Sequence, residues 1–157
     1  MLKLGKMTDY AATVLVVLAQ THDEKLTTSQ VSELAMLEIP TVSKILKLLT
    51  HAQLVTSIRG AHGGYMIARS PDEITVADLI SAIEGPVAMT DCTVEGGSCL
   101  QESTCQMAAN WQKVTTVVRQ ALENVSFAEM LPNASAARVE QNKHINLNQI
   151  PLSVKTG

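Results

Sequence analysis

Aromatic side chains are scarce in this chain: one Trp, two Tyr and one Phe among 157 residues, although hydrophobic residues make up 46% of it. A core must therefore be assembled from Leu, Ile, Val, Ala and Met, a composition that suits helical packing. Long apolar runs are also missing. The longest, Ala11 to Ala19, falls well short of the ~20 residues that a membrane-spanning helix needs. No signal-peptide pattern is present, because Asp9 interrupts the apolar stretch near the N-terminus. These absences predict a soluble cytoplasmic protein with no membrane partner. Enzyme signatures are lacking as well: there is no nucleophile and base motif, no glycine-rich phosphate loop and no carboxylate pair, while His22, His51 and His144 stand isolated. The chain is read as a non-enzyme.

Charge is sparse but unevenly spread. Residues 1–70 hold seven Lys and Arg against five Asp and Glu, whereas residues 71–157 hold five against ten, for an overall net charge of −3. Contact with nucleic acid is thus admissible from the first half alone.

The hydrophobic pattern is mainly helical. Met7, Ala11, Val14, Leu15 and Leu18 fall at the spacing of one buried stripe over residues 8–20. Thr27 and Gln30 match a capping box opening a short second helix that ends near Met36, with Val31, Leu34 and Ala35 as its expected buried face. Pro40 suits the first turn of a third helix running to about His51, with Val42, Ile45, Leu46 and Leu49 facing inward. Leu54–Ile58 and Tyr65–Arg69 read as two strands around a glycine-rich tip. Thr75 and Asp78 form a second capping box, opening a helix that Gly85 stops near Glu84. From about Cys105 to Asn124 a longer helix carries Met107, Trp111, Val114, Val118, Ala121 and Leu122 along one side, a stripe that reads as an interface.

Three helices followed by a two-stranded hairpin are the parts of a winged helix-turn-helix. The predicted fold is mainly α with a small β-hairpin wing, plus a long C-terminal dimerisation helix. Residues 1–85 form the DNA-binding domain, 86–105 a cysteine-rich loop, 106–131 the dimerisation region and 132–157 a polar, disordered tail. In such modules the third helix enters the major groove by its N-terminal end, which here presents Thr41, Ser43 and Lys44, with Lys47 one turn later. The wing tip adds Arg59, Gly60, His62, Gly63, Gly64 and Tyr65: the glycines allow backbone to approach phosphate closely, and Arg59 suits a narrow, electronegative minor groove. The predicted partner is a double-stranded DNA operator. Taken singly, the same residues also fit an ordinary tight turn and a solvated helix face.

Cys92, Cys99 and Cys105 are the only cysteines, and they lie within fourteen residues of one another. An odd number argues against a disulfide framework. Three thiolates close in sequence, with Gly96 and Gly97 between them, suit zinc or an iron-sulfur cluster.

At these residues the chain resembles the winged-helix iron-sulfur regulators typified by IscR and the nitric oxide sensor NsrR, most closely those controlling the SUF cluster-assembly system. The matching stretches are Thr8-Asp9-Tyr10-Ala11, the wing Val55-Thr56-Ser57-Ile58-Arg59-Gly60 with Gly63-Gly64-Tyr65, and the three cysteines followed by Trp111, so that roughly residues 1–131 are covered. The resemblance implies a homodimer whose long helix crosses to the partner, and a 2Fe-2S or 4Fe-4S cluster held by Cys92, Cys99 and Cys105 that governs DNA affinity. The histidine that IscR-like members carry three residues after the last cysteine is replaced here by Ala108. NsrR-like members use an aspartate at the start of the first helix, donated by the other subunit, and Asp9 stands at that position. As a plain first-turn carboxylate, Asp9 would instead gain ~0.3–1 kcal/mol from the helix dipole. Glu95 and Glu102 are further oxygen donors, and His62 is a less favoured nitrogen donor. The spacing from Cys92 to Cys99 is one residue longer than the family commonly shows, and Gly96 and Gly97 can absorb it.

The function expected is a transcriptional regulator that senses cluster status and controls SUF-type assembly genes. A nitric oxide or redox-sensing repressor built on the same cluster is the alternative. A zinc-stabilised protein-interaction module is the alternative from another class.

Overall fold

The computed structural model describes residues 3–21, 24–90, 93 and 107–132. Among these residues five α-helices and one hairpin follow in order: α1 (Lys6–Gln20), α2 (Thr28–Ala35), α3 (Ile39–His51), β1 (Val55–Ile58), β2 (Gly64–Ile67), α4 (Val76–Glu84) and α5 (Ala108–Glu123). Short 3-10 turns at Pro71–Glu73 and Phe127–Met130 precede α4 and follow α5. The sequence expectation of a mainly helical protein with a β-hairpin wing is met. The expected tail lies outside the described residues, apart from Pro132 at its start.

Local chemistry sets the helix ends. Both capping boxes form: the Thr27 hydroxyl accepts from the Gln30 amide at 3.3 Å while the Thr27 amide donates to Gln30 Oε1 at 2.8 Å, and Thr75 and Asp78 repeat the exchange at 3.1 and 3.0 Å. Pro40 sits in the first turn of α3, as predicted. Met36 ends α2 in the left-handed conformation, φ 52°, and the Leu37 amide then closes back onto the Ser32 carbonyl at 3.1 Å.

α1, α2 and α3 pack together and against α4 around one aliphatic core. Ala11, Val14, Leu15, Leu18, Val31, Val42, Ile45, Leu46 and Leu49 are fully buried, and each large aliphatic side chain contributes roughly 1.5–3 kcal/mol of transfer free energy. Leu34 corrects the expected face of α2. It is 55% exposed, because an eight-residue helix wedged against α1 and α3 by Val31 and Ala35 turns its neighbouring stripe outward. The single Phe, Phe127, is also fully buried, and its amide donates to the Ile74 carbonyl at 2.6 Å. The segment after α5 therefore closes the same core that α1 to α4 build.

The hairpin is antiparallel, with Val55 opposite Ile67 and Ile58 opposite Gly64. Tyr65 ties it to the α1–α2 connection through a pair of backbone bonds with Leu26, at 2.8 and 3.0 Å. Among the described residues no helix is long and apolar enough to cross a membrane.

Candidate functional site

The α3 residues that sequence assigns to DNA occupy the side opposite the core, since Val42, Ile45, Leu46 and Leu49 take up the inward stripe. Ser43, Lys44 and Lys47 are exposed and Thr41 is half-buried. Lys44, Lys47 and Arg59 make no ion pair with any described residue, so their charge is available to a polyanion. Glu38, also exposed, precedes the helix as an N-cap whose side chain makes no capping bond.

At the wing, Arg59, Gly60 and His62 are exposed at a turn closed by the Gly63 amide donating to the Gly60 carbonyl at 2.9 Å. Gly60 has φ +116°, a conformation that favours glycine, with open space around its Cα. Gly63 and Gly64 are needed for another reason: side chains there would run into backbone, at Gly63 into the Ile58 carbonyl and at Gly64 into the Leu26 carbonyl, 2.8 Å away. Tyr65 is half-buried and its ring packs against the core, so it anchors the wing.

Asp9 stands exposed in the first turn of α1, and its carboxylate has no partner among the described residues. It borders a largely apolar cavity of about 360 Å³ between α1 and α4, lined also by Leu4, Ala12, Val76, Leu79 and Ile80. The α1 end of this cavity is fastened by a residue that sequence reading missed. Glu84 Oε1 accepts from the Gly5 amide at 2.7 Å and from the Thr8 hydroxyl at 2.5 Å. The Thr8 bond first, and the Gly5 bond second, hold the Glu84 carboxyl below its ordinary pKa, against a small opposing effect of burial. The only local hint in the sequence is that Gly5 offers α1 no capping side chain.

Cys92, Cys99 and Cys105, with Glu95 and Glu102, lie outside the described residues. Thr93 is described, and it shares a second cavity, of about 450 Å³, with Ala77, Asp78, Ser81, Thr115 and Arg119. Among the described residues no three His, Cys, Asp or Glu side chains converge to hold a metal. Ala108, at the position of the family's histidine, opens α5. Met107, the N-cap, and Trp111, Val114 and Val117 along the helix are 51, 37, 42 and 55% exposed, an apolar face that the protomer leaves uncovered.

Residues 4–133 match the family model Rrf2, described as an iron-dependent transcriptional regulator. The structure of CymR, the global cysteine regulator of B. subtilis, superimposes with a TM-score of 0.64 at 27% identity, covering 87% of this chain and 98% of that one. The IscR structure from T. potens gives 0.60 at 28% identity, covering 87% and 91%. The transcriptional regulator IscR of Aliivibrio salmonicida is 26% identical over 146 residues, 92% of this chain and 86% of that protein. Uncovered cations on an outward α3, a glycine wing and the family match converge: the chain belongs to the Rrf2 family of DNA-binding transcriptional regulators, which are not enzymes.

Proposed function

We propose that this regulator acts in the cytoplasm as a homodimer whose affinity for operator DNA is set by an iron-sulfur cluster on Cys92, Cys99 and Cys105, and that its targets are SUF-type cluster-assembly genes. Thr41, Ser43, Lys44 and Lys47 read or neutralise the major groove, and Arg59, Gly60, His62, Gly63 and Gly64 approach the backbone or minor groove, with Tyr65 holding the wing in place. Residues 1–85 carry this DNA-binding function, 86–105 the cluster and 106–131 the dimer contact.

The donor set fits such a group. Thiolates are soft ligands for iron, and Asp9 supplies a carboxylate that has no partner among the described residues, at the edge of a cavity. A bound cluster would supply a link that iron supply, oxidant or nitric oxide can break, and an oxygen ligand is the weakest point of that link.

The observation that carries the dimer reading is where the two cavities lie on α4. Val76, Leu79 and Ile80 face the Asp9 cavity, whereas Ala77, Asp78 and Ser81 face the cavity reached by Thr93, the neighbour of Cys92. Helical periodicity puts these two triplets on different flanks of α4. Asp9 and Thr93 thus border cavities on different flanks of α4 within one protomer, which favours donation of Asp9 to the partner's cluster across the uncovered face of α5.

The test is operator affinity measured with cluster-loaded and cluster-free protein on the same DNA, selected from a random pool. Affinities differing by roughly tenfold or more support the switch, and equal affinities contradict it, because a ligand that binds both states equally shifts nothing. The likeness to CymR motivates a second reading, regulation by cysteine supply without a cluster. It predicts a cluster-free protein whose DNA binding is fully active.

A further inference from the structure

Three large apolar side chains stand exposed close together in sequence where α2 turns into α3: Leu34, Met36 and Ile39. Leu37, between them, packs against the core instead. Of the other large apolar side chains that the described residues expose, Leu4 precedes α1 and the rest lie from Met107 onward, so this corner is the one such cluster in the described DNA-binding half. Met36 is held there against its backbone preference. At φ 52° it takes the left-handed conformation that glycine usually fills at a helix end, and it is 90% exposed, so no packing within the protomer offsets the strain. The turn is clamped: the Ser32 hydroxyl donates to the Leu37 carbonyl at 2.5 Å, and the Ser32 carbonyl accepts from the Leu37 amide at 3.1 Å. A strained, exposed methionine on a fixed turn points to a use outside the protomer. Ile39, 51% exposed, is the first residue of α3 and lies in one row with Ser43, a turn further on.

We propose that Ile39 and Met36 are specificity-determining residues, an apolar tip that enters the major groove ahead of Ser43 and Lys44 and packs on the 5-methyl groups of thymine. The proposal rests on the operator reading of α3. DNA is favoured as the occupant because the tip is continuous with the outward residues of α3, whose Lys44 and Lys47 make no ion pair with any described residue. In such modules the N-terminal end of the third helix meets base edges, and the thymine methyl is the apolar group that a base pair presents in that groove. Glu33 and Glu38, exposed at the same corner, repel phosphate, so the tip meets bases rather than backbone. Leu34 is left out, because the helix that carries it crosses the backbone.

The experiment uses the full-length chain purified without oxygen and a DNA sequence that it enriches from a random pool. Each thymine of that sequence is replaced in turn by uracil, which lacks the 5-methyl group and keeps every hydrogen-bonding atom, and affinities are measured for wild type, Ile39→Ala and Met36→Gly. The wild type is expected to lose roughly fourfold in affinity for each methyl it contacts, the scale of one buried hydrocarbon group. Ile39→Ala and Met36→Gly should each bind the thymine sequence more weakly and lose the thymine–uracil difference at a contacted position. Met36→Gly, relieved of its strain, should also melt higher than wild type, which separates lost recognition from lost fold. Equal affinity for thymine and uracil at every position overturns the proposal, and is the result expected if a protein partner covers this corner. A thymine–uracil difference that both variants retain in full overturns it as well. A pool in which no sequence is enriched fails the operator reading itself, and this proposal with it.

Discussion

The hydroxyl of Thr8 and the carboxylate of Glu84, seventy-six residues apart, meet at 2.5 Å, and the same oxygen takes the Gly5 amide at 2.7 Å. Glu84 thereby does for α1 what a capping side chain at Gly5 would have done, from the far end of α4. The bond also joins the turn that carries Asp9 to the point where the chain leaves for the cysteine segment.

Glu84→Ala should therefore destabilise the fold by about 1 kcal/mol, the scale of a lost N-cap, lowering Tm by about 3 °C. The pH dependence has a definite sign. Glu84 has its pKa lowered in the folded state from an ordinary 4.5, so its contribution is full above that value and is lost as pH falls below it. Melting curves of wild type and Glu84→Gln should differ by a constant amount above about pH 5.5 and converge toward pH 3. A difference that does not shrink in acid would show that the charge plays no part.

The wing glycines should rank by what surrounds them. Gly63→Ala and Gly64→Ala force backbone apart at Ile58 and Leu26, and should lose operator binding and about 1–3 kcal/mol of stability. Gly60→Ala meets open space and bears only the strain of its positive φ, about 1 kcal/mol. Thermal melts and DNA titrations of the three variants check the order.

Much of this fold was legible because its signals are local. The capping boxes at Thr27 and Thr75, the Pro40 start and the inward stripe of α3 each lie within a single turn or helix, and all four form as expected. Signals that depend on distant residues were hidden. α1 starts at Lys6, two residues before the expected stripe, because Glu84 caps it from another helix. β2 begins at Gly64 and ends at Ile67, ahead of the expected Tyr65–Arg69, because pairing with Ile58 recruits a glycine that has no strand preference of its own. Phe127 sat in a stretch without periodicity, yet fills the core. The outward-facing residues of α3 could be named once its buried stripe was known, whereas the Thr115–Thr93 bond joins two polar residues that no sequence pattern pairs.

Lys44, Lys47 and Arg59 should act on DNA chiefly through charge. Lys47→Ala is expected to weaken binding evenly across sequences and to reduce the salt dependence of log K by about 1, the value for one lost phosphate contact. Loss of preference at a single base pair with an unchanged salt slope would instead make Lys47 a base reader.

Trp111, Val114 and Val117 should form the contact between subunits. Val117→Glu puts a charge into that face without touching Thr115 or the α4 contact, and is expected to convert a dimer to a monomer in sedimentation velocity with the helical content kept. A dimer of unchanged stability would place the interface elsewhere.

The most direct measurement is the visible absorption spectrum of protein purified without oxygen, with iron, sulfide and zinc determined on the same sample, for wild type and Asp9→Ala. Charge-transfer bands with matching iron and sulfide in the wild type, and a cluster altered in type or lifetime in Asp9→Ala, are predicted. A colourless wild-type protein holding stoichiometric zinc after anaerobic reconstitution would contradict the account.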